Sequence, residues 1–350
     1  MENAQSGIDE CVSVSKHEGT IPLITEIQRF CLQDGPGIRT TIFMKGCPLR
    51  CPWCHNPETQ NRKREIYFYS DKCTGCGRCV EVCPTGASSI LIVSGKQPLS
   101  RIDRRKCIGC LKCVENCLVE ARGVVGRHFT IDEIRIESTS DLPFYARSGG
   151  GVTLSGGDPL FFPEFSLLLA SRLRKEGVHV GMETSCFARW KVIESLMSFI
   201  DLFLVDIKSM NPEKHEKVVG WPLKPILDNI RNLIEADANV RIHLPIIPGF
   251  NDSVDDFEAW AEFLAPFADR LTGVDILPYH VYGERKYEFL GRDEDYQYKG
   301  IKEIAPEVLV ALAEALIRAG ITQVTVGGMV GMGTERGLKP NRRTGGEDLE

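Results

Sequence analysis

The sequence has no apolar run long enough to cross a bilayer; MSFIDLFLVDI at 197–207 is short and broken by an acid. The opening segment MENAQSGIDECVSVSKHEG has no apolar core, so no secretory signal is expected and the cytoplasm is the expected compartment. Positive charge is not in excess. Against 48 acidic residues stand 42 basic ones, a formal net charge of −6, which gives no pull toward nucleic acid or an anionic membrane. The most informative shortage is local. CPLRCPWCHNPE, residues 47–58, holds three cysteines, Cys47, Cys51 and Cys54, and no fourth. That spacing is too tight for three disulfide partners and one ligand short of a closed tetrahedral zinc site. It suits a cubane iron–sulfur cluster with three irons held by thiolate and one open to a substrate or cofactor. A zinc knuckle that borrows a neighbour such as His55 is the alternative.

Cysteine is plentiful elsewhere. Of 14 cysteines, 11 fall in three tight groups, at 47–54, 73–83 and 107–117; Cys11, Cys31 and Cys186 stand outside them. In a reducing compartment such groups bind metal, and left-over cysteines are small buried hydrophobes. KCTGCGRCVEVCP (72–84) and KCIGCLKCVENCL (106–118) repeat the pattern C-x-x-C-x-x-C-x-x-x-C at an interval of 34 residues. This matches the bacterial two-cluster ferredoxin run, in which the last cysteine of each run ligates the other cluster. One cubane is therefore expected on Cys73, Cys76, Cys79 and Cys117, and the other on Cys107, Cys110, Cys113 and Cys83. Both would be closed by four thiolates, leaving no iron open for catalysis. A pair of structural zincs is the competing reading; the third evenly spaced cysteine of each run argues for iron. The first run ends on the usual proline, Pro84, and the second has Leu118 there.

A chain of 350 residues with 43% hydrophobic residues fits one large α/β domain plus an insert. LITEIQRF (23–30) and TTIFMKG (40–46) read as strands around the glycine-rich loop DGPGIRT (34–40). After residue 125 strands and amphipathic helices alternate, which implies a parallel sheet with crossover helices. Strands are expected at 178–185, 201–210, 274–280 and 322–328, with a strand and glycine turn over 149–159 and a strand and loop over 240–252. Helices are expected at 163–177, 189–200, 223–237, 253–267 and 306–320, and a charged, tyrosine-rich loop at 283–300. Five polar sets are expected at the C-terminal ends of strands: Ser155–Asp158, Glu183 with Thr184, Asp206 with Lys208, Arg241 with His243, and His280. Gathered at one end of a barrel they form one pocket. The expected division is a tail at 1–22, a barrel from 23–60 and 125–334, an insert at 61–124 and a tail at 335–350.

Taken together, the cysteine triplet, DGPGIRT before it and CHNPE closing it resemble the radical S-adenosylmethionine superfamily. More narrowly they resemble its glycyl-radical-enzyme activating enzymes, over about residues 23–334. The cysteine-rich insert resembles the branch that carries one. The resemblance implies an α/β fold, a partial (β/α)6 TIM-like barrel with an inserted ferredoxin-like domain of two 4Fe–4S clusters. It implies three 4Fe–4S clusters in all, S-adenosylmethionine, a glycyl radical enzyme as protein substrate and a flavodoxin or ferredoxin as electron donor. The implied reaction is reductive cleavage of S-adenosylmethionine to a 5′-deoxyadenosyl radical, which takes a hydrogen from a glycine Cα of the partner. A radical enzyme acting on another peptide or a small molecule, and a ferredoxin-type electron carrier, are the competing readings.

Residue by residue, Ser155, Gly156, Gly157 and Asp158 match the motif that meets the methionine amino group, with Asp158 where glutamate is common. Asp206 and Lys208 match a D-x-K pair whose lysine faces the substrate carboxylate. His280, Arg241 and Trp53 match positions around the methionine, ribose and adenine. Glu183 and Thr184 match a pair beside a monovalent cation, with glutamate in place of aspartate. Asp34, Gly35, Pro36, Gly37 and Arg39 are expected to face the partner's glycine loop, and Asp34 and Lys208 to be catalytic. Segment 282–298 is either a second partner surface or a solvated loop. The insert either relays electrons or braces the partner interface.

Overall fold

The computed structural model describes residues 21–327 except 93 and 96; both expected tails, apart from residues 21 and 22, and Cys11 lie outside the described residues. The chain opens with β1 (Leu23–Cys31) and β2 (Arg39–Lys45). The cysteine-rich segment follows, with β3 (Glu65–Phe68), β4 (Ser88–Leu91), β5 (Leu99–Ile102) and β6 (Arg122–Val125). The remaining strands are β7 (Gly151–Gly156), β8 (Val180–Thr184), β9 (Leu202–Asp206), β10 (Val240–Ile246), β11 (Gly273–Pro278) and β12 (Val324–Val326). Eight strands form one sheet in the order β1-β2-β7-β8-β9-β10-β11-β12. From β2 to β12 every pairing is parallel. Strand β1 runs antiparallel to β2. The seven residues between them are too few for a crossover helix, so the chain turns back on itself.

Helices Pro163–Lys175, Trp190–Leu196, Lys224–Glu235, Val254–Leu264 and Pro306–Arg318 link or follow the parallel strands. Their ends follow local chemistry. Ser253 and Asp256 form a reciprocal capping box at one start, and Pro306 opens another helix where its missing N–H costs nothing. Strand residues alternate between two faces. Ile42, Val152, Leu154, Val180, Met182, Val205, Ile242 and Leu244 are buried in the main core with Leu169, Leu173, Ile193, Ile230, Trp260 and Leu316 of the helices. On the other face Thr41 and Thr153 both donate to Asp34 of the loop before β2, and Glu183, Asp206 and Asp275 meet around His243. A second, smaller core of Leu49, Trp53, Ile247, Phe250, Tyr279, Tyr287 and Tyr296 sits against the first cysteine loop.

The insert is two antiparallel pairs, β3 with β6 and β4 with β5, plus two four-residue helices, Arg78–Glu81 and Lys112–Glu115. The repeat seen in sequence is repeated in backbone. Each short helix starts from a left-handed residue, Gly77 at φ 82° and Leu111 at φ 66°. The expected loop at 283–300 is corrected. Glu284–Leu290 is a helix closed by left-handed Gly291, with Tyr287 and Leu290 buried. It joins barrel to insert, with Phe289 edge-on to Tyr69 at 4.8 Å and its carbonyl accepting from Arg104 at 3.1 Å.

Candidate active site

The first cysteine loop leaves the C-terminal end of β2. It is pinned by backbone bonds from Gly46 N to Thr59 O (2.6 Å) and from Asp158 N to Gly46 O (2.9 Å). The second bond explains the two glycines at the end of β7. A Cβ on Gly157 would lie 2.0 Å from the Gly46 carbonyl oxygen, and one on Gly156 2.3 Å from Met44 N. Only bare backbone fits so close to the loop. Burial pushes the Cys47, Cys51 and Cys54 thiols up, Cys54 to about 12, and Cys47 is raised further by Asp158, Cys51 and Cys54. Three thiolates grouped this closely oppose one another and need a positive centre. A set of three soft sulfur donors fits an iron–sulfur group. His55, the alternative fourth ligand, stacks on His280 at 3.8 Å, and its Nε2 is buried without a hydrogen-bond partner among the described residues. Trp53 packs inside the loop's own core, 4.5 Å from the Phe250 ring.

Beside the loop, Lys208 Nζ donates to Asp206 at 2.7 Å. Burial works against this ammonium, yet Asp206 and the thiols of Cys51 and Cys47 hold it above its ordinary value. Glu183 accepts from the Ser155 hydroxyl, and burial, Asp34 and Asp206 push its carboxyl up to about 7. A ligand atom from each of Glu183, Asp206 and His243 lies within 4.8 Å of the others. His243, named with Arg241 in one polar set but given no role from the sequence, is the member of that pair that faces this group. Its Nδ1 is 3.9 Å from both Glu183 and Asp206, and its Nε2 is 3.3 Å from Asp275. The signal was present: β10 places residues 241 and 243 on one face, and only the register with its neighbours says which is deeper.

Geometry gives four of the expected site residues contacts within the fold. Arg241 is the second residue of β10 and pairs with Gly273, the first of β11, so it lies at the opposite end of the strand from the pocket. It grips Asp275 through Nε (2.6 Å) and Nη2 (2.5 Å) and supports His243 from below. Asp158 is buried, and its carboxylate is committed to Leu160 N (3.0 Å), Thr184 Oγ1 (2.8 Å), Ser185 N (3.1 Å) and Ser185 Oγ (2.5 Å), leaving backbone as what it offers the pocket. The Thr184 hydroxyl is thereby turned to Asp158, away from the Glu183 group. In the DGPG loop Arg39 is fully buried. It donates to Thr153 Oγ1 (2.6 Å), Val152 O (2.7 Å) and Pro36 O (3.2 Å), holding the loop from inside with no surface to show a partner. Asp34 accepts from the Thr41 hydroxyl at 2.5 Å, and Gly37, at φ 68°, has no room for a Cβ against Gly150 N at 2.5 Å.

In the insert, one cavity is lined by Cys73, Cys76, Cys79 and Cys117, and a second by Cys107, Cys110, Cys113 and Cys83. Arg122 lies between them and donates to Ser88 and Ser100.

A family model for the 4Fe–4S binding domain matches residues 66–89, and one for the radical SAM superfamily matches residues 108–264. The chain is 57% identical over 331 residues to the benzylsuccinate synthase activating enzyme of Thauera aromatica, covering 94% of this chain and 98% of that protein. It is 41% identical over 271 residues to the choline trimethylamine-lyase activating enzyme of Oleidesulfovibrio alaskensis, covering 77% and 87%. The chain belongs to the glycyl-radical-enzyme activating enzymes of the radical SAM superfamily. A solved structure of SuiB from Streptococcus suis, bound to its precursor peptide SuiA, shares the fold at 9% identity and a TM-score of 0.51, covering 93% of this chain and 53% of that one. As an activating enzyme the chain uses S-adenosylmethionine and 4Fe–4S chemistry to take a glycine hydrogen from a partner glycyl radical enzyme. Among the described residues no helix is long and apolar enough to cross a membrane.

Proposed function

We propose that the reaction centre is the loop of Cys47, Cys51 and Cys54, and that the observation carrying this is the meeting of three closely grouped thiols with the Lys208–Asp206 pair. A 4Fe–4S cluster held there supplies, when bound, the electron that breaks the S–C5′ bond of S-adenosylmethionine. Lys208 holds the methionine carboxylate by charge, and Gly156 and Gly157 let backbone approach the amino group. His280 and Trp53 border the nucleoside. Glu183 and Asp206 supply the side-chain oxygens for a monovalent cation. Hard oxygen donors suit such an ion. Asp34, Gly35, Pro36 and Gly37 meet the partner's glycine loop, with Asp34 nearest the chemistry. The buried polar stripe from Thr153 to Asp275 fixes these groups before substrate arrives, which is how orientation lowers a barrier.

The insert, residues 61–124, carries two further 4Fe–4S clusters on Cys73, Cys76, Cys79 and Cys117 and on Cys107, Cys110, Cys113 and Cys83, for a total of three. A cytoplasmic ferredoxin or flavodoxin is the electron donor. The protein substrate is an enzyme of the benzylsuccinate synthase kind. What supports this is the 57% identity to that activating enzyme against 41% to the choline trimethylamine-lyase one. The test is competition. Anaerobic, reduced protein is mixed with S-adenosylmethionine and either a benzylsuccinate synthase or a choline trimethylamine-lyase. A glycyl doublet in electron paramagnetic resonance is expected on the first and little on the second; the reverse would reject the partner assignment.

A further inference from the structure

We infer that residues 101–113 of the insert form the landing surface for an acidic one-electron carrier protein, an inference that rests on the functional reading above. Charge is divided unevenly along the chain. Residues 61–124 carry 12 Lys and Arg against 6 Asp and Glu, a net +6, so with −6 overall the remainder carries −12. Within the insert the excess is again local. Residues 101–113, RIDRRKCIGCLKC, have five bases and one acid, whereas 71–83, DKCTGCGRCVEVC, have two of each. The two cysteine runs are near copies in spacing and differ in exactly the property that steers a charged partner.

The bases are placed outward. The Arg105 side chain is 95% exposed and Lys106 62%, both at 3.8 Å from the one acid, Asp103. Arg101 and Lys112 are exposed as well. Arg104 alone is turned inward, to the carbonyls of Ile66 and Phe289. Between the bases stands Ile108, 69% exposed, at the rim of the cavity lined by Cys107, Cys110, Cys113 and Cys83; Cys110 is itself exposed. A small apolar centre within a charged rim suits a brief, salt-sensitive contact more than a permanent interface.

The chemistry says what kind of partner needs this place. Each S-adenosylmethionine cleaved consumes one electron. The carrier is oxidised as it gives up that electron, the sulfonium is reduced as its S–C5′ bond breaks, and no proton moves. A carrier must come close to a metal-binding loop to deliver it, whereas a glycyl radical enzyme must deliver a glycine to the barrel. An acidic carrier is therefore the occupant that the basic cysteine loop fits.

The test uses the full-length, iron-loaded protein and an oxidised, acidic two-cluster ferredoxin as probe. Binding is measured by calorimetry across a salt series. Arg105→Glu with Lys106→Glu should weaken binding roughly tenfold at low salt and flatten its salt dependence. Iron content and dithionite-driven 5′-deoxyadenosine formation should stay at the wild-type level. Lys72→Glu with Arg78→Glu makes the same charge change on the neutral run and should leave binding within about twofold. Arg105→Ala keeps the test open if the double variant loses iron, and should show the same trend at smaller size. Unchanged binding in the Arg105 variants, equal weakening by both doubles, or a loss confined to binding of the glycyl radical enzyme would each overturn the surface while leaving the enzyme reading intact. Absence of 5′-deoxyadenosine from wild-type protein with dithionite would overturn the enzyme reading, and this surface with it.

Discussion

Asp158 is buried just after the glycines that end β7 and works for the fold. Burial pushes its carboxyl up against the pull of Ser185, Thr184 and the Leu160 amide. Asp158→Ala strands these buried donors and is expected to cost about 3 kcal/mol, read as a lowered thermal midpoint. His179 acts in the same way from the barrel floor. Burial and the neighbouring Arg39 pull its imidazole down to about 3. The folded form therefore keeps it neutral while the unfolded chain protonates it below about 6.5. Its contribution is full above 6.5 and is lost as pH falls toward 3, at about 1.4 kcal/mol per pH unit at most. His179→Gln should remove that part of the acid slope in denaturant titrations at pH 7, 5 and 4; an unchanged slope contradicts the assignment. At this scale the sequence shows residue types but not depth. Arg241 and His243 share a strand and a face, and only the register against Asp206 and Asp275 tells the support from the group beside Glu183.

The helix Glu284–Leu290 is the element hardest to read from sequence. Seven residues give two turns, and only Tyr287 and Leu290 turn inward, so no periodic stripe stands out from the charge around it. Its work lies in long-range contacts. Lys286 Nζ reaches Asn56 Oδ1 (2.8 Å) and Glu58 Oε1 (2.6 Å), tying the helix to the turn that closes the cysteine loop. Lys286→Ala should loosen that tie by about 1–2 kcal/mol. The readout is faster amide exchange across 281–291 and 55–60 with the barrel strands unchanged; uniform exchange throughout would show that the helix acts on the whole fold instead. The other elements were more legible. Ser253, Pro306 and the glycine after Pro163–Lys175 mark helix ends by local chemistry alone. The antiparallel β1 was written in the short span before β2.

At the scale of the molecule, the first cysteine group stands apart from the other two. The first lies in the core beside β2, and the other two share two insert cavities, the last cysteine of each run crossing to the cavity of the other. Cys47→Ala should therefore remove about a third of the bound iron, the share of one cubane in three, and abolish 5′-deoxyadenosine formation. Proportional loss from all three would contradict separate ligand sets. The parallel barrel was legible because strand–helix alternation leaves few topologies. The polar stripe was legible only as scattered residues, because cross-strand register brings Glu183, Asp206 and His243 together.

The central claim is that this chain takes a hydrogen from a glycine Cα of a partner protein, and isotope transfer tests it most directly. A benzylsuccinate synthase made with α-deuterated glycine is mixed, without oxygen, with the reduced protein and S-adenosylmethionine, and the 5′-deoxyadenosine is analysed by mass. Deuterium in 5′-deoxyadenosine, in step with a glycyl radical signal on the partner, is the predicted result. Unlabelled 5′-deoxyadenosine with no radical on the partner would contradict it.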